Sequence, residues 1–253
     1  MDLSLAFVGL VFGIVLGMTS MGGGSLMAPF LMLGLGMNPV LAVGTDLVYG
    51  ALTKIVGSWV YWRNGLVDFR IVRRLCIGSL PGGLTAALLV SRLRAGGWDA
   101  DHFVRTAVAV LLVGVAAVMV LRLFAAPRPI ENARLRRHAH GWGTIAYGSI
   151  VGFSVGLTSI GSGALVAPFL LMIYGLTPAE LVGTDLFHAA ALVTVSALPA
   201  VAHGSIDWPI VVALVTGSIP GVVIGGSIAA RVPPVVLRVS LAGVMVAAAV
   251  KLL

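Results

Sequence analysis

The chain has 253 residues, of which 59% are hydrophobic and only 10% charged, and its mean hydropathy is +1.08. A soluble domain carries about 25% charged residues, so this composition cannot supply a polar surface, and the expected fold is an all-α polytopic membrane protein. The net charge of +7 does not point to nucleic acid, because the basic residues lie between apolar segments, where they set membrane orientation, and they are not interleaved with aromatics.

A spanning helix needs about 20 apolar residues. Met1-Asp2-Leu3-Ser4 lacks a positive n-region, so the first segment, Leu3 to Met18, is expected to be retained rather than cleaved. A glycine-rich stretch follows, then a short segment at Leu26–Leu35. Pro39 opens a long segment that runs to Trp62. Arg63–Arg74 reads as a charged loop, Leu75–Val90 as a fourth segment, Arg92–Arg105 as polar, and Phe103–Phe124 as a fifth segment. Ala125–Gly141, with Arg128, Arg134, Arg136 and Arg137, is the most polar stretch and the expected boundary between a first unit, 1–124, and a second, 142–253. Five segments recur beyond it: Trp142–Leu157, Leu165–Tyr174, Pro178–Ala202, Trp208–Ala230 and Pro234–Leu253. Cys76 is the only cysteine, which excludes an intramolecular disulfide and a cysteine-based zinc site.

The two units are copies. Gly17-Met-Thr-Ser-Met-Gly-Gly-Gly-Ser-Leu-Met-Ala-Pro29 returns as Gly156-Leu-Thr-Ser-Ile-Gly-Ser-Gly-Ala-Leu-Val-Ala-Pro168. The shift from Gly17 to Gly156 is 139 residues. It carries Gly44-Thr45-Asp46-Leu47 onto Gly183-Thr184-Asp185-Leu186, and Gly78-Ser79-Leu80-Pro81-Gly82 onto Gly217-Ser218-Ile219-Pro220-Gly221. One register held over so long a span marks a tandem duplication. The expected architecture is therefore two homologous repeats of about five segments, one of them short or discontinuous, with 8–10 transmembrane helices in all. If the short segment crosses, the second repeat is inverted, and if it is re-entrant, the repeats are parallel. Loop 63–74 is rich in arginine, whereas its counterpart, Ala202–Trp208, has no Lys or Arg. That contrast favours inversion, with Arg63–Arg74 and the linker cytoplasmic and both termini outside.

Thr19-Ser20-Met21-Gly22-Gly23-Gly24 and Thr158-Ser159-Ile160-Gly161-Ser162-Gly163 are too polar and flexible for a lipid-facing helix. Irregular backbone at membrane depth persists only where protein or a water cavity covers it. Such a break frees N–H groups at the start of the next half-helix, where they and the helix dipole attract anions. Paired glycine interruptions in two halves are the best sequence pointer to a transport site. Close helix packing through small residues is the alternative for any single glycine. The expected substrate contacts are Thr19, Ser20, Gly22, Gly23, Gly24, Thr45, Thr158, Ser159, Gly161, Ser162, Gly163 and Thr184.

Asp46 and Asp185 sit seven residues after Pro39 and Pro178, roughly 10 Å into their helices. An ionisable residue at that depth is a functional hypothesis by default, here a relay for a coupling proton, with helix capping as the structural alternative. Lys54 lies two turns past Asp46 and His188 one turn past Asp185, and they break the symmetry of the repeats, since their counterparts are Val193 and Tyr49. Lys54 could meet an anion or only pair with Asp46. His188 could titrate or merely bond a backbone carbonyl. Asp68 and Asp207 read as helix N-caps.

At the Gly22-Gly23-Gly24 through Pro29 stretch, at Gly44-Thr45-Asp46-Leu47 and at their copies, the chain resembles the TauE/SafE sulfite exporter family of membrane permeases. The resemblance spans both repeats. It implies secondary transport of small anions, sulfite and organosulfonates among them, in the inner membrane of a prokaryote. The partners then expected are a small anionic substrate and the bilayer, with a homo-oligomer left open and no cofactor or metal. A passive anion channel, metal-ion transport through the aspartates and an intramembrane hydrolase are the competing readings. The hydrolase lacks an evident serine–histidine pairing or an in-membrane arginine, and the lack of a P-loop leaves ATP coupling without support.

Overall fold

The computed structural model describes residues 3–19, 22–124, 141–228 and 234–252, and all of its regular structure there is helical. In chain order the helices are α1 Leu3–Thr19, α2 Gly22–Gly34, α3 Pro39–Arg63, α4 Phe69–Ala95, α5 Ala100–Phe124, α6 Gly141–Thr158, α7 Ser162–Tyr174, α8 Pro178–Ala202, α9 Trp208–Ile228 and α10 Pro234–Leu252. Five of them are long and apolar enough to cross a bilayer: α3, α4, α5 through Val118, α8 and α9. The half-helices α2 and α7 have 13 residues each. At 1.5 Å per residue that is about 20 Å against roughly 30 Å of hydrocarbon core, so inverted repeats require each short helix to carry the chain across together with the residues that flank it.

Helix boundaries follow from local chemistry. Pro39 opens α3, and the next N–H, of Val40, is met by Asp101 Oδ1 from the first turn of α5 at 3.0 Å. Thr177 and Glu180 form a capping box at the start of α8. Asp68 caps α4, its carboxylate accepting from Arg70 N and Ile71 N, and Asp207 accepts from Ile210 N at the start of α9, as expected. The Asp68 cap also corrects the expected charged loop. The connection is only residues 64–68, and Arg70, Arg73 and Arg74 ride on the first turns of α4. The polar stretch 92–105 shrinks likewise, because α4 continues through Arg92 and Arg94 and α5 begins at Ala100. The linker lies outside the described residues except for Gly141, which begins α6.

Two central helices, α3 and α8, carry the most buried faces. They run antiparallel. A Cβ added at Gly44 would lie 3.1 Å from Ala200 Cβ, one at Gly57 3.6 Å from Leu186 Cδ1, and one at Gly183 3.0 Å from Tyr61 Cβ. One member of each pair rises in number as the other falls. Outside this pair, each repeat lends its first helix to the other: α1 packs along α9 and α6 along α4. Both seams run parallel and are lined by glycines at every fourth position. Gly9, Gly13 and Gly17 face the Leu214, Ser218 and Val222 backbone, and Gly148, Gly152 and Gly156 face that of Leu75, Ser79 and Gly83. These are close backbone approaches of the kind that holds membrane helices together without a hydrophobic driving force. Helices α5 and α10 pack together, with Arg105 Nε donating to Leu252 O at 2.7 Å.

Candidate functional site

The repeated Gly-Thr-Asp gives each residue a separate task. A Cβ on Gly44 would fall 2.1 Å from Ser205 O, and one on Gly183 2.4 Å from Leu66 O, so only glycine admits the loop of the other repeat at those points. The next residue ties that loop down. Thr45 Oγ1 accepts from Asp207 N and Thr184 Oγ1 from Asp68 N, each at 3.0 Å. The two threonines read as substrate contacts therefore hold the α8–α9 and α3–α4 connections. The third residue, Asp46 or Asp185, is fully buried.

Asp46 lies beside Lys54, the Ser159 side chain and the Ala28 backbone, without completing a full hydrogen bond to any of them. Lys54 is 1% exposed, and its Nζ donates to Ser162 Oγ at 2.8 Å, in the first turn of α7. Both Asp46 and Asp185 act on it electrostatically. Lys54 in turn acts on His188, which is fully buried and pairs through Nε2 with Ser79 Oγ at 2.8 Å. The structure thus brings Asp46, Lys54, Ser159, Ser162, Asp185 and His188 to the crossing of α3, α7 and α8.

The backbone break sits where the duplicated motif placed it. Ser159 has φ +62° and Gly161 φ +111°, and α7 starts at Ser162. A non-glycine residue in that region costs on the order of 1–3 kcal/mol and persists only where its surroundings impose it. Thr158 imposes it here: its hydroxyl donates to Ser154 O at 2.8 Å and accepts from Ile160 N at 3.1 Å. In the first repeat Thr19 makes the matching bond to Val15 O at 2.7 Å. Gly22, Gly23 and Gly24, expected to be irregular, form the first turn of α2, and Ser20 lies outside the described residues. A first helical turn needs no break to offer N–H groups, because its leading donors have no partner inside the helix. In α7 the first N–H to find one is Leu165 N, on Gly161 O at 3.0 Å, which leaves those of Ser162, Gly163 and Ala164 turned out of the ladder.

A second layer was not foreseen. Tyr49, the counterpart of His188, lies beside Ser218, the counterpart of Ser79, and Thr53 Oγ1 pairs with Ser218 Oγ at 2.8 Å. Its signal was the repeated Gly-Ser-x-Pro-Gly, which in the sequence marks only the duplication and gains a role once α4 and α9 are laid against α8 and α3. Among the described residues no cluster of three His, Cys, Asp or Glu side chains could hold a metal ion.

The family described as Sulfite exporter TauE/SafE matches residues 5–252. The chain belongs to the TauE/SafE family. It is 35% identical, over the full length of both chains, to a Bacillus subtilis protein named "Probable membrane transporter protein YjnA". It is 27% identical to "Probable membrane transporter protein YunE" of the same organism, over 84% of this chain and 83% of that one. A Xylella fastidiosa protein named only as a probable membrane transporter is 27% identical over 49% of this chain and 46% of its own. No solved structure matches. As a TauE/SafE protein with several membrane-capable helices, the chain is a multi-pass membrane protein of a transporter family.

Proposed function

We propose that this protein is a proton-coupled secondary transporter of small anions, sulfite and organosulfonates being the class, in the inner membrane of a prokaryote. The observation that carries the reading is Lys54: an amine with 1% exposure whose Nζ donates to Ser162 Oγ at the N-terminal turn of a half-helix. An ammonium and a helix N-terminus are both positive, and together with the outward N–H groups of Ser162, Gly163 and Ala164 they suit an oxyanion between them. Ser159 and Ser162 supply hydroxyls. Asp46 and Asp185 come one from each repeat and balance Lys54 when no anion is bound, so an anion that takes Lys54 over leaves an aspartate without its counter-charge and ready to take up a proton, and the two enter the cluster together. That exchange is the proposed coupling. The antiparallel run of α3 and α8 supports inverted repeats, an arrangement in which a fixed central site can face either side.

The test is uptake of labelled sulfite, sulfoacetate and acetate into proteoliposomes, with and without an imposed pH gradient. Sulfur oxyanion uptake that rises with the gradient is expected, and Lys54→Gln should abolish it. Uptake indifferent to the gradient would make the protein a passive channel, and no uptake of any anion would sink the proposal.

A further inference from the structure

A cavity of 330 Å³ opens where the C-terminal ends of α4 and α8 meet the N-terminal end of α3. Its rim carries two exposed groups. Arg94 Nη1 donates to Ser205 Oγ at 2.7 Å, and the His203 ring is held by a 2.7 Å bond from Nδ1 to Pro199 O. Its floor is formed by Leu47, next in sequence to Asp46, and by Ser196, two helical turns from His188. Ser196 is fully buried and its Oγ has no hydrogen-bond partner. The volume is at the small end of ligand pockets, about 300–1,000 Å³, which suits a small oxyanion.

The repeat provides an internal control. Shifting the cavity wall by 139 residues takes Gly44 to Gly183, Ala87 to Gly226 and Gly156 to Gly17. All three shifted positions touch one side chain, Tyr61. Its hydroxyl donates to Gly17 O at 3.1 Å, a Cβ on Gly226 would lie 3.9 Å from that hydroxyl, and a Cβ on Gly183 would lie 3.0 Å from its Cβ. Tyr61 corresponds to Ala200, which lines the open cavity. Two polar groups of the cavity also have apolar counterparts, since Ser196 corresponds to Gly57 and Ser205 to Leu66. Among the described residues the shifted positions gather around Tyr61, where the cavity has only the small side chain of Ala200.

We propose that the cavity is the port through which the transported anion reaches the buried cluster, with Arg94 as the receiving cation, and that Tyr61 is the gate closing the equivalent port on the opposite face. This rests on the anion-transport reading for its ligand but not for its geometry. The cavity is bounded by α3 and α4 of the first repeat and by α6 and α8 of the second, so one repeat rocking against the other would widen this port as it narrows the one at Tyr61.

The test uses purified protein in a Cys76→Ser background, reconstituted and exposed on both faces to a small charged methanethiosulfonate. Ser196→Cys should react, and adding Ala200→Tyr should slow that reaction by about tenfold or more, with Ala200→Leu as a smaller plug should the tyrosine variant not remain monodisperse. Gly57→Cys should be silent while Tyr61 is present and become reactive with Tyr61→Ala. A Ser196→Cys thiol that does not react, or that ignores both plugs, overturns the port, and a Gly57→Cys thiol that reacts beside an intact Tyr61 overturns the gate. In sulfite uptake, Arg94→Gln should raise KM severalfold with kcat retained, and Arg94→Lys should restore it. An unchanged KM removes Arg94 from the port. If the wild-type protein carries no anion, the transport reading and Arg94's role fail together, and the labelling alone upholds or overturns port and gate.

Discussion

At the scale of single residues, the cluster is defined by charge held away from water. Inserting Asp or Lys at the centre of a membrane helix costs about 2.5–3.5 kcal/mol each on insertion scales, and this chain buries Asp46, Lys54 and Asp185 together. Opposite charges sharing one site relieve much of that cost, so removing a single member leaves the others less well balanced. Asp46→Asn and Asp185→Asn keep the side-chain shape and remove one negative charge. Each is expected to yield protein that purifies as the wild type does but whose sulfite uptake no longer responds to a pH gradient. Wild-type uptake with wild-type pH dependence in both variants would assign the aspartates to structure alone. Lys54→Met is expected to bind sulfite more weakly by at least about tenfold, since it removes a charge-assisted contact worth roughly 1.5–3 kcal/mol, and titration calorimetry reads this directly.

At the scale of elements, the glycines divide into two kinds that look alike in the sequence. Those at the start of α7 leave N–H groups outward, and those along α1, α4, α6 and α9 let one backbone lie on another. Gly152 belongs to the second kind, since its Cβ would fall 2.1 Å from Ser79 O, whereas a Cβ at Gly143 meets nothing within 4 Å. Gly152→Ala is expected to cost about 1–3 kcal/mol through overpacking and to lower the melting temperature in detergent, with Gly143→Ala unchanged. Equal melting curves for the two would show that the α4–α6 seam is looser than this. Gly163 tests the first kind. If its N–H serves an anion, Gly163→Ala should weaken sulfite binding and leave the melting temperature in place, because alanine is favoured over glycine within a helix by about 1 kcal/mol. Unchanged affinity with a lowered melting temperature would remove the half-helix terminus from the site.

At the scale of the whole molecule, the antiparallel α3 and α8 put the two matched connections at opposite ends of the helix layer. Loop 64–68 docks on Thr184 beyond the C-terminal end of α3, and the segment before α9 docks on Thr45 near the N-terminal end of α3. With Arg63, Arg70, Arg73 and Arg74 at the first end and the arginine-free connection 202–208 at the second, the first end is expected to face the cytoplasm. Ser205 is a poor probe because it is buried and held by Arg94. Exposed His203 and Asn64 are better ones. In intact cells lacking Cys76, His203→Cys should take an impermeant thiol reagent directly and Asn64→Cys only after permeabilisation. The reverse order, or labelling of both from one side, would overturn inverted repeats in this orientation.

The sequence by itself determined what depends on composition and on repetition. A chain this apolar has to live in lipid, and a motif copied at a constant shift has to build two like units. It also located the short helices to within a few residues, because glycine, serine and threonine interrupting an apolar run mark a helix boundary, although Gly22–Gly24 and Ser162–Gly163 turned out to belong to the first turns rather than to the break. It could not separate the roles within Gly44-Thr45-Asp46, because each depends on a partner more than a hundred residues away: Ser205 O for the glycine, Asp207 N for the threonine, Ser159 for the aspartate. Nor could it place Lys54 on the first turn of α7, pair His188 with Ser79, or set Tyr61 into the space that its counterpart Ala200 leaves open. Those contacts exist only once each repeat lends a helix to the other, and so the tertiary structure alone decided them.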